Sequence, residues 1–193
     1  MKLILASQSP RRKERLEDMG YKFEVRPADI DENLETYYDK STLDNLKKTA
    51  PEELVKTLAR KKAEKITLSK NEWVISCDTV VWQDGEIFEK PKDFADAKRM
   101  FLCYRGKYHQ VISAYCIKSG DKEIVGFEKT KVKIKNMTES EIEEYINTFS
   151  PYDKAGGYGI QDGKVVEEII GDYYNVFGFP QKIFDEIKFI ERK

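Results

Sequence analysis

The chain contains one histidine, three cysteines and almost no net charge, with 34 Lys+Arg against 35 Asp+Glu. One histidine excludes any zinc site that needs two imidazoles, and a Ser-His-Asp triad would have to use His109 itself. A catalytic metal is therefore expected to rest on carboxylates and substrate phosphates, which points to Mg²⁺ or Mn²⁺ rather than Zn²⁺. Cys77, Cys103 and Cys116 are odd in number, far apart and set among apolar neighbours, the pattern of free buried thiols in a reducing compartment. A formal net charge of −1 gives no global field to attract a nucleic-acid polymer or an anionic membrane, so any phosphate affinity has to come from local clusters. The N-terminal apolar run is too short for a signal sequence and no stretch approaches a membrane span. A cytoplasmic protein is the expectation.

What is present is enough for a real core: 193 residues, 40% of them hydrophobic, fit one domain or two lobes sharing a sheet. Residues 2–6 read as a short buried strand, followed at once by Ser9 as N-cap and Pro10 at the first helical position. Arg12, Leu16 and Met19 follow helical spacing until Gly20, and Phe23 and Val25 alternate in a second strand. The acidic stretch 29–48 reads as an excursion or flap. Thr49-Ala50-Pro51-Glu52 has the pattern of a capping box opening a helix to about residue 68. "WVISCDTVVW", residues 73–82, is apolar on both faces and predicts a buried strand. A helix over 94–103, strands over 108–117 and 124–134, and a second capping box at Thr138–Glu141 follow. A glycine-rich stretch then leads to a strand at 165–170 and an amphipathic closing helix over 179–190. The fold class is mixed α/β.

Several residues carry chemistry. Ser7, Arg11 and Arg12 lie where a strand turns into a helix, so backbone N–H groups and guanidinium forks can converge on one anion. A solvated, charged helix start is the competing reading. Asp78 sits in the middle of an apolar strand, where a carboxylate is costly unless paired, hydrogen-bonded or metal-bound. It can hold a divalent metal or accept a proton from water, or it can be a structural ion pair. Lys62 falls on the apolar stripe Val55–Ala59–Lys62–Ile66, the ordinary place for a snorkelling stem, yet a lysine aimed at Asp78 would suit a phosphate or metal site. Lys90, before Pro91, offers a further cation or a plain loop residue. In "DKAGGYGIQ", the glycines permit close backbone approach, and Tyr158 and Gln161 can stack on and hydrogen-bond a base; a purely structural turn is the alternative. His109 reads as a packed or hydrogen-bonded histidine, and Ser113 has no nearby base.

In order, "LILASQSPRR", "DIDE", "LARKKA", "DTVV", "EKP", "DKAGGYGIQ" and "GDYYNVFGFP" span nearly the whole chain, which thereby resembles the Maf family of nucleoside triphosphate pyrophosphatases. The resemblance implies one domain over residues 1–193, two-lobed, with an elongated mixed β-sheet flanked by helices as in inosine triphosphate pyrophosphatases, and a site in the cleft. It implies hydrolysis of a nucleoside triphosphate between the α and β phosphates with Mg²⁺ or Mn²⁺, and a homodimer. It makes Asp78 the catalytic and metal-binding aspartate, and Lys62 and Lys90 its catalytic lysines. Ser7, Arg11, Arg12, Asp31 and Gln161 become substrate-binding residues. "SQSPRR", "DKAGGYGIQ" and "GDYYNV" resemble the branch acting on dTTP and UTP. The alternatives are a pyrophosphatase of 7-methyl-GTP or another modified nucleotide, and a nucleotide-sensing regulator of septum formation with little turnover. Glu89 stands where the family commonly has glycine, the stretch between Asp31 and Lys62 is longer than usual, and that between Gln161 and Gly171 is shorter.

Overall fold

The computed structural model describes residues 1–192. Its frame is a mixed sheet of seven strands. The strands are β1 (Lys2–Leu5), β2 (Phe23–Val25), β3 (Glu72–Gln83), β4 (Glu86–Phe88), β5 (Tyr108–Ser119), β6 (Lys122–Ile134) and β7 (Val166–Ile170). Their order is β2-β1-β3-β5-β6-β7, with β4 paired to the far end of β3. β1 runs parallel to both β2 and β3, while β3, β5, β6 and β7 form antiparallel pairs. The helices are α1 (Pro10–Asp18), α2 (Lys40–Thr49), α3 (Pro51–Glu64), α4 (Phe94–Tyr104), α5 (Glu139–Phe149), α6 (Tyr173–Val176) and α7 (Lys182–Glu191). Among the described residues no helix is long and apolar enough to cross a membrane.

β3 is buried on both faces because helices cover both. Alternation along it sorts its side chains. Val74 and Val80 pack with Val55 and Ala59 of α3, and the Ser76 hydroxyl donates to the Ala59 carbonyl at 2.6 Å. Ile75 and Cys77 point the other way, into a cluster with Leu16 of α1 and Phe184 and Ile187 of α7. A third cluster joins Phe101 and Tyr104 of α4 to Ile142 and Tyr145 of α5. Cys77 and Cys116 are free and buried, and Cys103 is free but only partly so. Burial pushes the Cys77 thiol up to about 11 and the Cys116 thiol up to about 12, so both stay protonated and unreactive.

One feature of the sheet makes room for a site. β1 pairs with β3 only as far as Leu5 opposite Ile75, and β4 takes up pairing again at Val81. Between these points the chain leaves β1 and enters α1, so among the described residues no strand lies beside one edge of β3 from residue 76 to 80.

Three local expectations need correcting. The acidic stretch 29–48 holds a short 3₁₀ turn (Leu34–Thr36) and most of α2, whose Leu43 packs on Leu54 and Leu58 of α3. Thr49 does not cap α3. Its hydroxyl donates to the Asn45 carbonyl at the end of α2, and Ala50 precedes Pro51 with no side-chain cap. α3 then stops at Glu64, short of residue 68. Ser9 occupies the N-cap of α1 but makes no side-chain cap; its N–H donates to Ser7 Oγ instead, at 3.1 Å.

Candidate functional site

The open edge of β3 borders a cavity of about 920 Å³, lined by the 6–12 turn, Glu32, Lys62, Asp78, Glu89–Lys90, the 153–161 segment and Phe177–Gly178. An unpaired strand edge leaves carbonyls needing donors. Arg12 supplies them. Its Nη1 donates to the Cys77 carbonyl at 2.7 Å and to Ser7 Oγ at 3.3 Å, its Nη2 to Thr79 Oγ1 at 3.3 Å, and its Nε to the Gly178 carbonyl at 3.0 Å. Four of the five guanidinium donors are thereby committed to the protein. Arg11 is placed differently. Its Nη1 donates to Asp153 Oδ2 at 2.8 Å and its Nη2 to the Asp153 carbonyl at 3.3 Å, in a pair whose carboxylate is 56% exposed. Exposed pairs are worth little, so an arriving anion displaces this contact cheaply.

On the opposite face of β3, α3 delivers Lys62. Its Nζ lies 2.6 Å from Asp78 Oδ1 and 2.7 Å from Glu32 Oε1. Lys62 and Asp78 are both buried. Burial pulls the lysine's pKa down, but attraction to Asp78 and the hydrogen bonds to both carboxylates outweigh that and the repulsion from Arg12, leaving it above its ordinary value. Lys62 is therefore a fixed cation, not a base. For Glu32, desolvation pushes the pKa up, and the hydrogen bond and charge of Lys62, with Lys90 and Arg12, overcome it and hold the carboxyl below its ordinary range. Glu89 goes the other way, pushed up first by desolvation and then by the negative charges of Asp78 and Glu32. Asp78 Oδ1 is committed to Lys62, and its Oδ2 makes no hydrogen bond among the described residues. Among those residues no group of three or more His, Cys, Asp or Glu side chains is arranged to hold a metal. Two carboxylates on a cavity wall do fit a hard cation that completes its shell with water and the oxygens of a bound anion.

The third wall is the glycine-rich stretch. Gly156 and Gly157 both have φ near +70°, and a Cβ on Gly156 would lie 2.6 Å from Val81, so only glycine lets this backbone lie on β3. The Gly156 N–H donates to the Glu89 carbonyl at 2.9 Å, tying the stretch to the Lys90 loop. Tyr158 lines the cavity but its hydroxyl is turned inward, 2.6 Å from His109 Nε2. Its ring packs edge-on against His109 and Tyr104, so it serves the core before any base. Burial pushes His109 down to about 3, which keeps it neutral, and its Nδ1 has no hydrogen-bond partner among the described residues. His109 is the packed histidine the sequence suggested.

The structure thus brings Ser7, Arg11, Arg12, Lys62, Asp78, Lys90 and Gln161 to one cavity. It does not bring Asp31 there. Asp31 is exposed and closes its own turn, accepting from the Asn33 N–H at 2.9 Å and the Thr36 hydroxyl at 2.5 Å. The next residue, Glu32, is the carboxylate that reaches Lys62. Sequence reasoning missed it, although the Asp-x-Asn spacing of an Asx turn already assigned Asp31 a local task. Thr79 and Asp153 were missed as well. Thr79 follows Asp78 on a strand and so faces the other wall, where it meets Arg12.

The family model described as Maf-like protein matches residues 2–187. A dTTP/UTP pyrophosphatase of Thermosipho africanus is 47% identical over 188 residues, covering 96% of this chain and 91% of the relative. A dTTP/UTP pyrophosphatase of Pyrococcus furiosus is 42% identical over 193 residues, covering 98% and 94%. One of Bacillus cytotoxicus is 40% identical over 183 residues, covering 93% and 90%. Among solved structures, the Staphylococcus aureus Ham1 protein aligns at 11% identity with a TM-score of 0.44, covering 70% of this chain and 73% of that one.

Proposed function

The chain belongs to the Maf-like family, and from that membership we propose that it is a nucleoside triphosphate pyrophosphatase, hydrolysing dTTP and UTP to the monophosphate and pyrophosphate. The observation that carries this reading is the Lys62 ammonium held between Asp78 and Glu32 on one wall of a cavity whose other wall is an arginine-bearing helix start. That arrangement suits a triphosphate, which needs cations for its charge and a base for the attacking water.

In this reading Arg11 takes phosphate oxygens through its planar fork once Asp153 lets go, and Lys90 adds a second cation on the cavity wall. Arg12 holds the cavity wall in shape and has one donor left for substrate. Lys62 keeps Asp78 and Glu32 from repelling each other before substrate arrives. Asp78 Oδ2 accepts the proton of the attacking water, while the bond between the α phosphate and the bridging oxygen breaks and pyrophosphate leaves. Mg²⁺ or Mn²⁺, when held by Asp78 and Glu32 together with the phosphates, would neutralise charge that develops on them. Gln161 donates and accepts along the edge of a pyrimidine, and Gly156–Gly159 bring backbone close to it. A homodimer, as the resemblance implies, belongs to the same proposal, with the cytoplasmic setting and the lack of a polymer or membrane partner that the cysteine usage, net charge and short apolar runs suggest.

The test is Asp78→Asn, which keeps the shape and removes the base. We expect kcat on dTTP and UTP to fall on the order of 10²-fold or more, with the thermal melting curve close to wild type. A variant that turns over normally but melts at a lower temperature would return Asp78 to a structural ion pair with Lys62, and normal turnover in any case would overturn its role as the base.

A further inference from the structure

Gln161 sits in a short 3₁₀ turn (Ile160–Asp162), is exposed, and lines the cavity without a side-chain hydrogen bond to any described residue. With no such partner for its side chain, the backbone of the turn is what fixes the point from which it reaches into the cavity. The turn's own hydrogen bonds are long: Asp162 N–H to the Gly159 carbonyl and Gly163 N–H to the Ile160 carbonyl are both 3.3 Å. Something else has to hold it.

That something is one phenol. Tyr145, from the buried face of α5, accepts the Gly159 N–H at 3.0 Å and donates to Asp162 Oδ2 at 2.5 Å. A single oxygen thus ties the residue before the Ile160–Gln161 pair to the residue after it. Gly159 is shaped to this bracket: a Cβ there would lie 2.6 Å from Asp162 Oδ2, so only glycine lets the carboxylate fold over the backbone to reach the phenol. The ring of Tyr145 is anchored separately, 5.4 Å from Phe101 and 4.9 Å from Phe149 between centroids. Burial and the Asp162 hydrogen bond raise the phenol's pKa, so it remains a donor throughout the neutral range. Tyr145 itself is not part of the cavity lining.

We propose that Tyr145, acting with Asp162, is a positioning residue for base selection: its hydroxyl fixes the turn that presents Gln161, and so sets how sharply the site tells one base from another. This rests on the reading of Gln161 as the residue that meets the base. Rejection of a wrong base depends on leaving polar groups unpaired once the base covers them, and a site gains that penalty only if the backbone that presents those groups cannot shift to suit another base. Loss of the bracket lets the Ile160–Asp162 turn, and Gln161 with it, make that shift.

The experiment measures kcat and KM for dTTP, UTP, CTP and GTP with wild type, Tyr145→Phe, Asp162→Ala and Gln161→Ala, alongside thermal melts. Tyr145→Phe keeps the ring and its packing, so the fold should survive. We expect the dTTP-to-GTP ratio of kcat/KM to drop about tenfold in both Tyr145→Phe and Asp162→Ala, through a raised KM for dTTP with kcat held within about twofold. An equal loss on all four nucleotides would mean that Tyr145 merely supports the scaffold, and would overturn the proposal. So would an unchanged ratio in both bracket variants while Gln161→Ala collapses it, a result that leaves the base reading standing. If Gln161→Ala itself leaves the ratio unchanged, the base reading falls and this inference falls with it.

Discussion

Two neighbouring arginines, of one charge and one helix turn, do different work. Arg12 spends four donors on Ser7, Cys77, Thr79 and Gly178, whereas Arg11, among the described residues, bonds to Asp153 alone, through its side chain and its carbonyl. Lysine cannot reproduce either pattern, but the consequences differ. Arg11→Lys should raise KM for the triphosphate about tenfold with the melting temperature unchanged, because only the fork offered to phosphate is lost. Arg12→Lys should also cost about 2 kcal/mol of stability, since it strands the Cys77 and Gly178 carbonyls at the open strand edge. Steady-state kinetics and urea unfolding of the two variants separate these outcomes; equal behaviour in both assays would contradict the division of labour. The sequence showed that arginines belonged at this turn. It did not show which of them faced outward, because that depends on an edge of β3 that exists only after the sheet has assembled. The same limit produced the shift from Asp31 to Glu32. Three acidic residues in "DIDE" offer equal charge, and only the register of the 3₁₀ turn behind them decides which one reaches Lys62.

Among the elements, the ones read best from sequence were those whose local signals are self-sufficient. α5 begins with a complete capping box, in which Thr138 Oγ1 accepts the Glu141 N–H and the Glu141 carboxylate accepts the Thr138 N–H. Thr138→Ala should therefore cost about 1 kcal/mol by urea unfolding. Ser9→Ala should cost little by the same assay, since Ser9 makes no side-chain cap for α1. A larger loss from Ser9→Ala than from Thr138→Ala would refute that contrast. The Thr49 pattern looked the same on paper as the Thr138 pattern. It fails in the fold because α2 ends where α3 begins, and Thr49 turns back to Asn45. α2 itself was read as a polar excursion. Its few apolar residues, Leu43 and Leu46, become a stripe only once Leu54 and Leu58 of α3 are beside them, which is tertiary information. That packing has a functional result. Together with the hydrogen bond from Trp82 Nε1 to the Lys47 carbonyl, it pins the segment that carries Glu32 against the same strand that carries Asp78.

Across the whole molecule, the site is a consequence of strand pairing. β1 is parallel to β3 and stops early, β4 rejoins late, and the chain that leaves the gap becomes the cavity-facing start of α1. Asp78 and Thr79, adjacent in β3, then serve opposite walls, one meeting Lys62 from α3 and the other Arg12 from α1. The mixed α/β class and most elements were legible because apolar periodicity records burial directly. The strand order and the gap in it were not, because pairing between distant segments leaves no local periodicity. Glu89, noticed first as a departure from the family pattern, turns out to share the cavity with Asp78 and Glu32, whose negative charges help to push its own carboxyl up. The most direct test of this architecture is the identity of the products. Phosphorus NMR of dTTP incubated with wild-type protein and Mg²⁺ should show thymidine monophosphate and pyrophosphate appearing together from the first time point, without diphosphate, and no turnover once the metal is chelated. Release of orthophosphate with thymidine diphosphate as the first products would contradict it.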